Sequence, residues 1–292
     1  MSNTENIDII LQGPYTDFTD EIVSHYLELP FVSKIIISCW EGSVPSTNGN
    51  YVENKRQVYD HEKVECVRSI DNLDYSGVLN VNYQLVTSLT GVKYSKNYLC
   101  AKFRTDQKYT HQAMVSMYEF FIENIHTTKP EINFLNLNKT AKGKIFIAGN
   151  FHKVGPFSPR DWLYWGYKED LINLFDTPFQ VNEQCRELKV DKQKCESNGD
   201  FYFKLFTTPE TYIGAYYCSR FDKRLIEMVN NQSQYLYASA PNEKYAFSVS
   251  QEILPKLFKS FPRTNMDMIW PKNNIWHFPI SLYHEIWHEE GM

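Results

Sequence analysis

No stretch of this 292-residue chain approaches the roughly 20 consecutive apolar residues that a membrane-spanning helix needs. The polar opening, Met1 to Asn6, leads into an apolar run too short for a secretory signal. The expectation is therefore a soluble, cytoplasmic protein with no transmembrane segment. No Lys/Arg cluster stands out either. With 30 basic against 35 acidic residues and a net charge of −5, the footprint of a nucleic-acid binder is missing. No two of the six cysteines form a CxxC, which argues against a zinc knuckle or a redox pair. Cys39, Cys66 and Cys100 fall in or beside strand-like runs, where a free thiol behaves as a small buried hydrophobe. Cys185 and Cys195 lie either side of a charged loop, but a reducing compartment disfavours a bond between them. Internal repeats and low-complexity tracts are absent, and the sequons at Asn138 and Asn231 carry no meaning without a secretory leader.

What the chain does have is aromatic side chains: 20 Tyr, 19 Phe and 6 Trp, 15% of the whole. Aromatic faces with polar tips suit carbohydrate and nucleobase contacts; an AT-rich coding sequence accounts for them equally well. At 42% hydrophobic residues the chain is globular, long enough for one large α/β domain or two smaller ones. Residues 7–11 read as a strand closed by Gln12-Gly13-Pro14, and 17–27 as a helix capped by Thr16 or Asp17. Residues 32–38, with Ile35-Ile36-Ile37, read as a strand covered on both faces. Residues 64–67 form a weaker strand, and 80–89 a helix that stops at Gly91. Residues 110–125 form a longer amphipathic helix. Strands alternating with helices indicate βαβ units and a parallel sheet of the nucleotide-binding type. Further on, 144–148 read as a strand, and 167–175, 209–213 and 222–229 as helices. Residues 183–200 look charged and exposed, and the chain beyond Phe258 is irregular.

One stretch organises the rest. In residues 97–107 an apolar, β-prone run ends abruptly in Arg104-Thr105-Asp106-Gln107. That is how a buried strand delivers a charged site to the carboxyl edge of an open sheet, where ligands bind. Arg104 offers a planar fork for phosphate oxygens, or else pairs with a neighbouring acid. Asp106 suits a hard divalent ion, or else caps the helix that follows.

Several segments occur in a telling order: Ile9-Ile10-Leu11-Gln12-Gly13-Pro14, Ser38-Cys39-Trp40-Glu41-Gly42, residues 80–88, Lys102 to Gln107, and Asp161 to Leu171. Together they resemble the WavE family, linked to lipopolysaccharide core synthesis, over roughly residues 7–215. The resemblance implies a GT-A-like glycosyltransferase: a nucleotide-binding, Rossmann-type α/β sheet with helices on both faces and an irregular C-terminal part. It implies one domain over 1–292, with a nucleotide-sugar-binding half at 1–125 and an acceptor-side half at 144–292. The donor would be a nucleotide diphosphate sugar, a UDP-sugar favoured, and the acceptor a glycan or lipid-linked hydroxyl. Gln12, Gly13 and Pro14 would close the base pocket, and Trp40 and Glu41 would contact base or ribose. Of the three polar residues opening the second helix, Asn80 would cap it, while Asn82 and Gln84 approach the ligand. Arg104 would take the diphosphate and Asp106 an Mn²⁺ or Mg²⁺. Asp161 is the candidate for contact with the acceptor hydroxyl, as its general base, or with the donor sugar, and Glu210 is the rival; a first-turn acid after Pro209 also simply complements a helix dipole. Two departures from the pattern stand out. The usual Asp-x-Asp is Arg104-Thr105-Asp106 here, with one carboxylate, and Tyr83 stands where relatives often carry a basic residue.

Two other function classes compete. A glycan- or nucleotide-binding protein of the same fold, catalytically idle, is consistent with the missing carboxylate. A zinc peptidase is suggested by His284-Glu285-Ile286-Trp287-His288, since two His at i and i+4 share a helix face. Only four residues follow it, which leaves no room for a downstream third ligand. His277, His284 and His288 would otherwise help close a donor site.

Overall fold

In the computed structural model the described residues are 5–40, 61–69, 73, 80–136, 138–148, 156–159, 162–180, 209–230, 240–262, 267–270 and 275–278. The chain starts with strand β1 (Ile7–Gln12), helix α1 (Asp17–Leu27), β2 (Val32–Trp40) and β3 (Val64–Ser69). Then come α2 (Val81–Tyr94), β4 (Leu99–Arg104), β5 (Lys108–Tyr109) and α3 (His111–Ile125). The second part holds β6 (Ile145–Ile147), β7 (Leu163–Tyr167), α4 (Lys168–Phe175), α5 (Pro209–Ser219) and α6 (Lys223–Asn230). It closes with α7 (Ala240–Leu257), β8 (Phe258–Ser260), β9 (Met268–Trp270) and β10 (Ile275–Phe278).

Seven strands form one mixed sheet in the order β3-β2-β1-β4-β7-β6-β8. β1, β2, β3 and β4 run parallel, β7 runs against β4 and β6, and β8 runs with β6. The expected α/β class with a mostly parallel sheet is what the chain adopts. Each face carries its own core, as the apolar runs require. Ile9, Leu11, Ile35, Ile37, Ala101 and Phe103 pack with α1 and α3 on one side. Ile10, Ile36 and Cys100 pack with α2, α4, α5, α6 and α7 on the other. Ile35, Ile36 and Ile37 are fully buried, which a strand covered on both faces explains. Trp165 sits in the first core and Tyr164 in the second.

Three readings need correction, and the one for Asn80 needs refining. The second helix does not stop at Gly91 but runs through it to Tyr94. A Cβ on Gly91 would lie 2.6 Å from Ile10 Cγ2 and 2.9 Å from Ser38 Cβ, so this glycine permits close helix-on-sheet packing rather than a break. Asn80 occupies the cap position of α2, yet with φ 62° it is left-handed and its side chain makes no capping bond. Asp106 is not the cap of α3; Thr110 is, its side chain accepting from the Ala113 N–H at 3.3 Å. Cys66 is exposed, because β3 is an edge strand and the residue points outward, while Cys39 and Cys100 are buried as expected. Cys185, Cys195, residues 183–200, His284 and His288 lie outside the described residues.

Candidate active site

β1 leads out to β2 and β3 on one side, and the chain then crosses over through α2 to place β4 on the other side of β1. β1 and β4 therefore flank the topological switch point, where an open α/β sheet leaves a crevice beyond its carboxyl ends. Register puts Gln12 between Ser38 of β2 and Arg104 of β4. Because β7 runs the other way, its first residue, Leu163, pairs with Phe103 at this same edge. The edge thus collects the outgoing ends of β1, β2, β3, β4, β6 and β8, and the incoming end of β7.

The strand ends are stitched together by backbone and by one threonine. The Thr105 N–H donates to the Gln12 carbonyl at 3.0 Å, and the Gly13 N–H to the Ser38 carbonyl at 3.3 Å. The Thr105 hydroxyl donates to the Pro14 carbonyl at 2.7 Å. Gly13 has φ +135°, and a Cβ there would lie 2.5 Å from Thr105 Oγ1. Only glycine fits that turn. Gln12 is buried, Pro14 is exposed, and the Thr16 N–H donates to Thr19 Oγ1 at 3.0 Å to start α1.

Strand alternation sends Thr105 to the α1 face and Arg104 to the α2 face. There Arg104 forks across Asp106: Nε donates to Oδ1 and Nη2 to Oδ2, both at 2.8 Å. The two side chains are 24% and 21% exposed, so water reaches the pair and breaking it costs far less than breaking a buried one. Two residues earlier on the same face, Lys102 is fully buried, its Nζ 5.5 Å from the centre of the Tyr164 ring. Lys102 was not anticipated as a site residue. Its signal was the alternation of two cations, Lys102 and Arg104, in an otherwise apolar strand.

α2 begins at this edge, its positive dipole end beside the crevice. Asn82 is buried, donating from Nδ2 to the Gln180 carbonyl at 2.9 Å and accepting the Gln180 N–H on Oδ1 at 2.8 Å. That two-way clamp ties the chain after α4 to the mouth of the helix. Gln84 is buried one turn in. Trp40, at the end of β2, stacks on Tyr83 with ring centres 4.7 Å apart and planes at 30°. Tyr83 of α2 is thus the aromatic partner of Trp40. Glu210 lies in the first turn of α5; two residues on, the Tyr212 hydroxyl donates to the Pro178 carbonyl at 2.9 Å, next to the clamped Gln180.

The structure therefore brings Gln12, Gly13, Pro14, Arg104 and Asp106 together at the switch point, with Trp40, Asn82 and Gln84 on the neighbouring β2 and α2. Glu41 and Asp161 lie outside the described residues. On the α1 side, the Tyr26 hydroxyl accepts the Tyr109 N–H at 3.0 Å, which ties β5 to α1. Burial pushes that phenol well up, so it stays protonated at any working pH.

Residues 8–238 match a family described as WavE lipopolysaccharide synthesis. Among solved structures the chain is similar to HddC from Yersinia pseudotuberculosis, with 13% identity, a TM-score of 0.34, and coverage of 60% of this chain and 80% of that one. No curated protein matches.

Proposed function

The chain belongs to the WavE lipopolysaccharide synthesis family, and on that premise we propose that it moves a sugar from a nucleotide diphosphate sugar to a glycan or other hydroxyl acceptor. The observation that carries the reading is the forked Arg104–Asp106 pair at the β1/β4 switch point, 2.8 Å at both contacts and open to water. A donor diphosphate presents the same fork to a guanidinium as a carboxylate does. Arg104 is thus pre-aimed by Asp106, and it takes phosphate oxygens on binding without losing its orientation.

We assign the donor, a UDP-sugar favoured, to residues 1–125. Gln12, Gly13 and Pro14 wall the base, Trp40 and Glu41 meet base or ribose, and Asn82 and Gln84 hold the α2 mouth against the sugar. Among the described residues no group of three or more His, Cys, Asp or Glu is placed to hold a metal ion. A hard cation bound through one carboxylate and the substrate's own phosphates still fits Asp106. Mn²⁺ or Mg²⁺ so held supplies Lewis-acid stabilisation of the departing diphosphate. Arg104 adds its own charge to the same leaving group.

The acceptor belongs to the half at 144–292. Asp161 accepts the proton of the acceptor hydroxyl as its oxygen bonds to the anomeric carbon and the bond from that carbon to the diphosphate breaks; Glu210 is the alternative base. No described helix is long and apolar enough to cross a membrane, and we place the reaction in the cytoplasm with a glycan or lipid-linked acceptor. The lone carboxylate of Arg104-Thr105-Asp106 favours a second reading, a donor-binding protein without turnover. Incubating the protein with UDP-, GDP- and ADP-sugars and core oligosaccharide separates them. Transferred sugar or donor hydrolysis supports the transferase, binding without either supports the second reading, and no binding refutes both.

A further inference from the structure

α4 carries the chain from the far edge of the sheet back to the ligand edge. At its start the Lys168 N–H donates to the Tyr98 carbonyl, just ahead of β4, at 2.8 Å. Beyond its end, residues 176–180 reach the first turn of α2, and almost every residue of that short connection is tied. The Asp176 N–H donates to the Ile172 carbonyl at 2.8 Å, and the Asp176 carbonyl accepts from Arg220 Nη2. The Thr177 hydroxyl donates to the Leu174 carbonyl at 3.1 Å. The Pro178 carbonyl accepts the Tyr212 hydroxyl at 2.9 Å, and Gln180 is held through both its N–H and its carbonyl by the Asn82 side chain. Between these fixed neighbours stands Phe179, 46% exposed.

Single apolar side chains open to water are common and by themselves carry no message. Phe179 differs in how it is held and in where it stands. It is the lone phenylalanine so exposed among the described residues; the other open rings are tyrosines, each with a hydroxyl for water to hold. Its backbone has already lost the freedom of a loop tip, so a ligand that covers the ring has little ordering left to impose. The tethers also fix its place. On one side is Asn82, at the mouth of α2 beside the donor crevice; on the other is the start of α5, which carries Glu210 two residues before Tyr212. Trp40 and Tyr83, at the same mouth, already turn one face to each other.

We propose that Phe179 is a sugar-binding residue, a fixed aromatic wall on which the C–H face of a pyranose ring stacks in the transfer site. The proposal rests on the transferase reading above and deepens it. A pyranose ring offers one face of C–H groups to an aromatic ring while its hydroxyls at the rim keep their polar partners. Asn82 is then a positioning residue, since its carboxamide holds the Gln180 backbone next to the ring. The transferred sugar and the sugar that accepts it share this chemistry, and binding measurements separate them.

The test is Phe179→Ala, a change at an exposed position that leaves the cores untouched, with circular dichroism to confirm the fold. Calorimetry compares three ligands: the nucleotide sugar that binds tightest among UDP-, GDP- and ADP-sugars, its free nucleotide, and core oligosaccharide. Phe179→Ala is expected to weaken the nucleotide sugar or the oligosaccharide about tenfold, while the free nucleotide stays within about twofold. Loss on the nucleotide sugar assigns the ring to the donor sugar, and loss on the oligosaccharide assigns it to the acceptor. Phe179→Tyr keeps the aromatic face and should bind like wild type; Phe179→Leu keeps apolar bulk without the face and should not. Both sugar ligands binding the folded alanine variant as they bind wild type overturns the proposal. So does a free nucleotide weakened as much as the nucleotide sugar, or full binding by Phe179→Leu. A wild type that binds none of the three refutes the transferase reading itself and this proposal with it, an outcome distinct from a loss confined to the variant.

Discussion

Asp170, in the first turn of α4, gives the sharpest stability prediction. Its side chain is fully buried, and it accepts the Lys142 N–H at 3.1 and 3.2 Å and the Gly143 N–H at 2.9 Å. The carboxylate thereby ties down the chain entering β6. Burial nonetheless dominates over these two amides and pushes its pKa from 3.8 up to about 6. An acid raised on folding keeps its proton longer in the native state than in the unfolded one. Between pH 4 and 6 the unfolded chain ionises first, so this residue's contribution to stability falls as pH rises and levels off above the folded value. A displacement of about two units corresponds to about 3 kcal/mol. Asp170→Asn removes the titration. Urea unfolding of the two proteins at steps from pH 3.5 to 7.5 should show the variant gaining about 3 kcal/mol relative to wild type across this window. A flat difference, or one that moves the other way, would refute the claim that burial outweighs the two amides.

Other consequences follow from single contacts. Gly91→Ala forces a methyl group to 2.6 Å from Ile10 Cγ2, and should destabilise the protein in urea by about 1–3 kcal/mol, the usual cost of overpacking. A neutral result would mean that α2 slides freely on the sheet. Gln107 is fully buried with neither carboxamide atom hydrogen-bonded among the described residues. Gln107→Met, close in volume, should therefore stabilise the fold by about 1–3 kcal/mol in the same assay, the cost of an orphaned amide. Lower stability would instead reveal a partner for that amide. Arg104→Lys keeps the charge but loses the fork, and should weaken nucleotide-sugar binding by about tenfold or more in calorimetry; equal affinity would show that the fork is not used.

The first half, residues 1–125, was legible because its sequence keeps clean periods. Three parallel strands are apolar runs ended by Gly, Pro or charge, and the described edge residues named from that pattern, Gln12, Gly13, Pro14, Trp40, Arg104 and Asp106, lie at or directly after the strand ends. What the sequence hid was pairing at a distance. Nothing near Asn82 announces Gln180, ninety-eight positions away, as the backbone it clamps. Gly91 reads as a helix stop, since its true reason is the methyl of Ile10 beneath it. β7 was missed because Leu163-Tyr164-Trp165-Gly166-Tyr167 has no period of two: both faces are covered, Tyr164 in one core and Trp165 in the other. Pro255 inside α7 masked the helical pattern there. Lys102 escaped because lysine is almost never fully buried. The strand pattern revealed Arg104 and Asp106 as neighbours at an edge, and the pairing of Arg104 with a neighbouring acid, its plainer reading, is what the structure shows.

The central claim is that the Arg104–Asp106 pair receives the donor diphosphate, Arg104 directly and Asp106 through a hard cation. It is tested most directly by titrating UDP-sugars into wild type and Asp106→Asn by calorimetry, with and without Mn²⁺, alongside circular dichroism to confirm an intact fold. The account predicts that the wild type binds donor more tightly with Mn²⁺, and that the folded variant loses this metal-dependent binding. Unchanged donor affinity in a folded Asp106→Asn protein would contradict it.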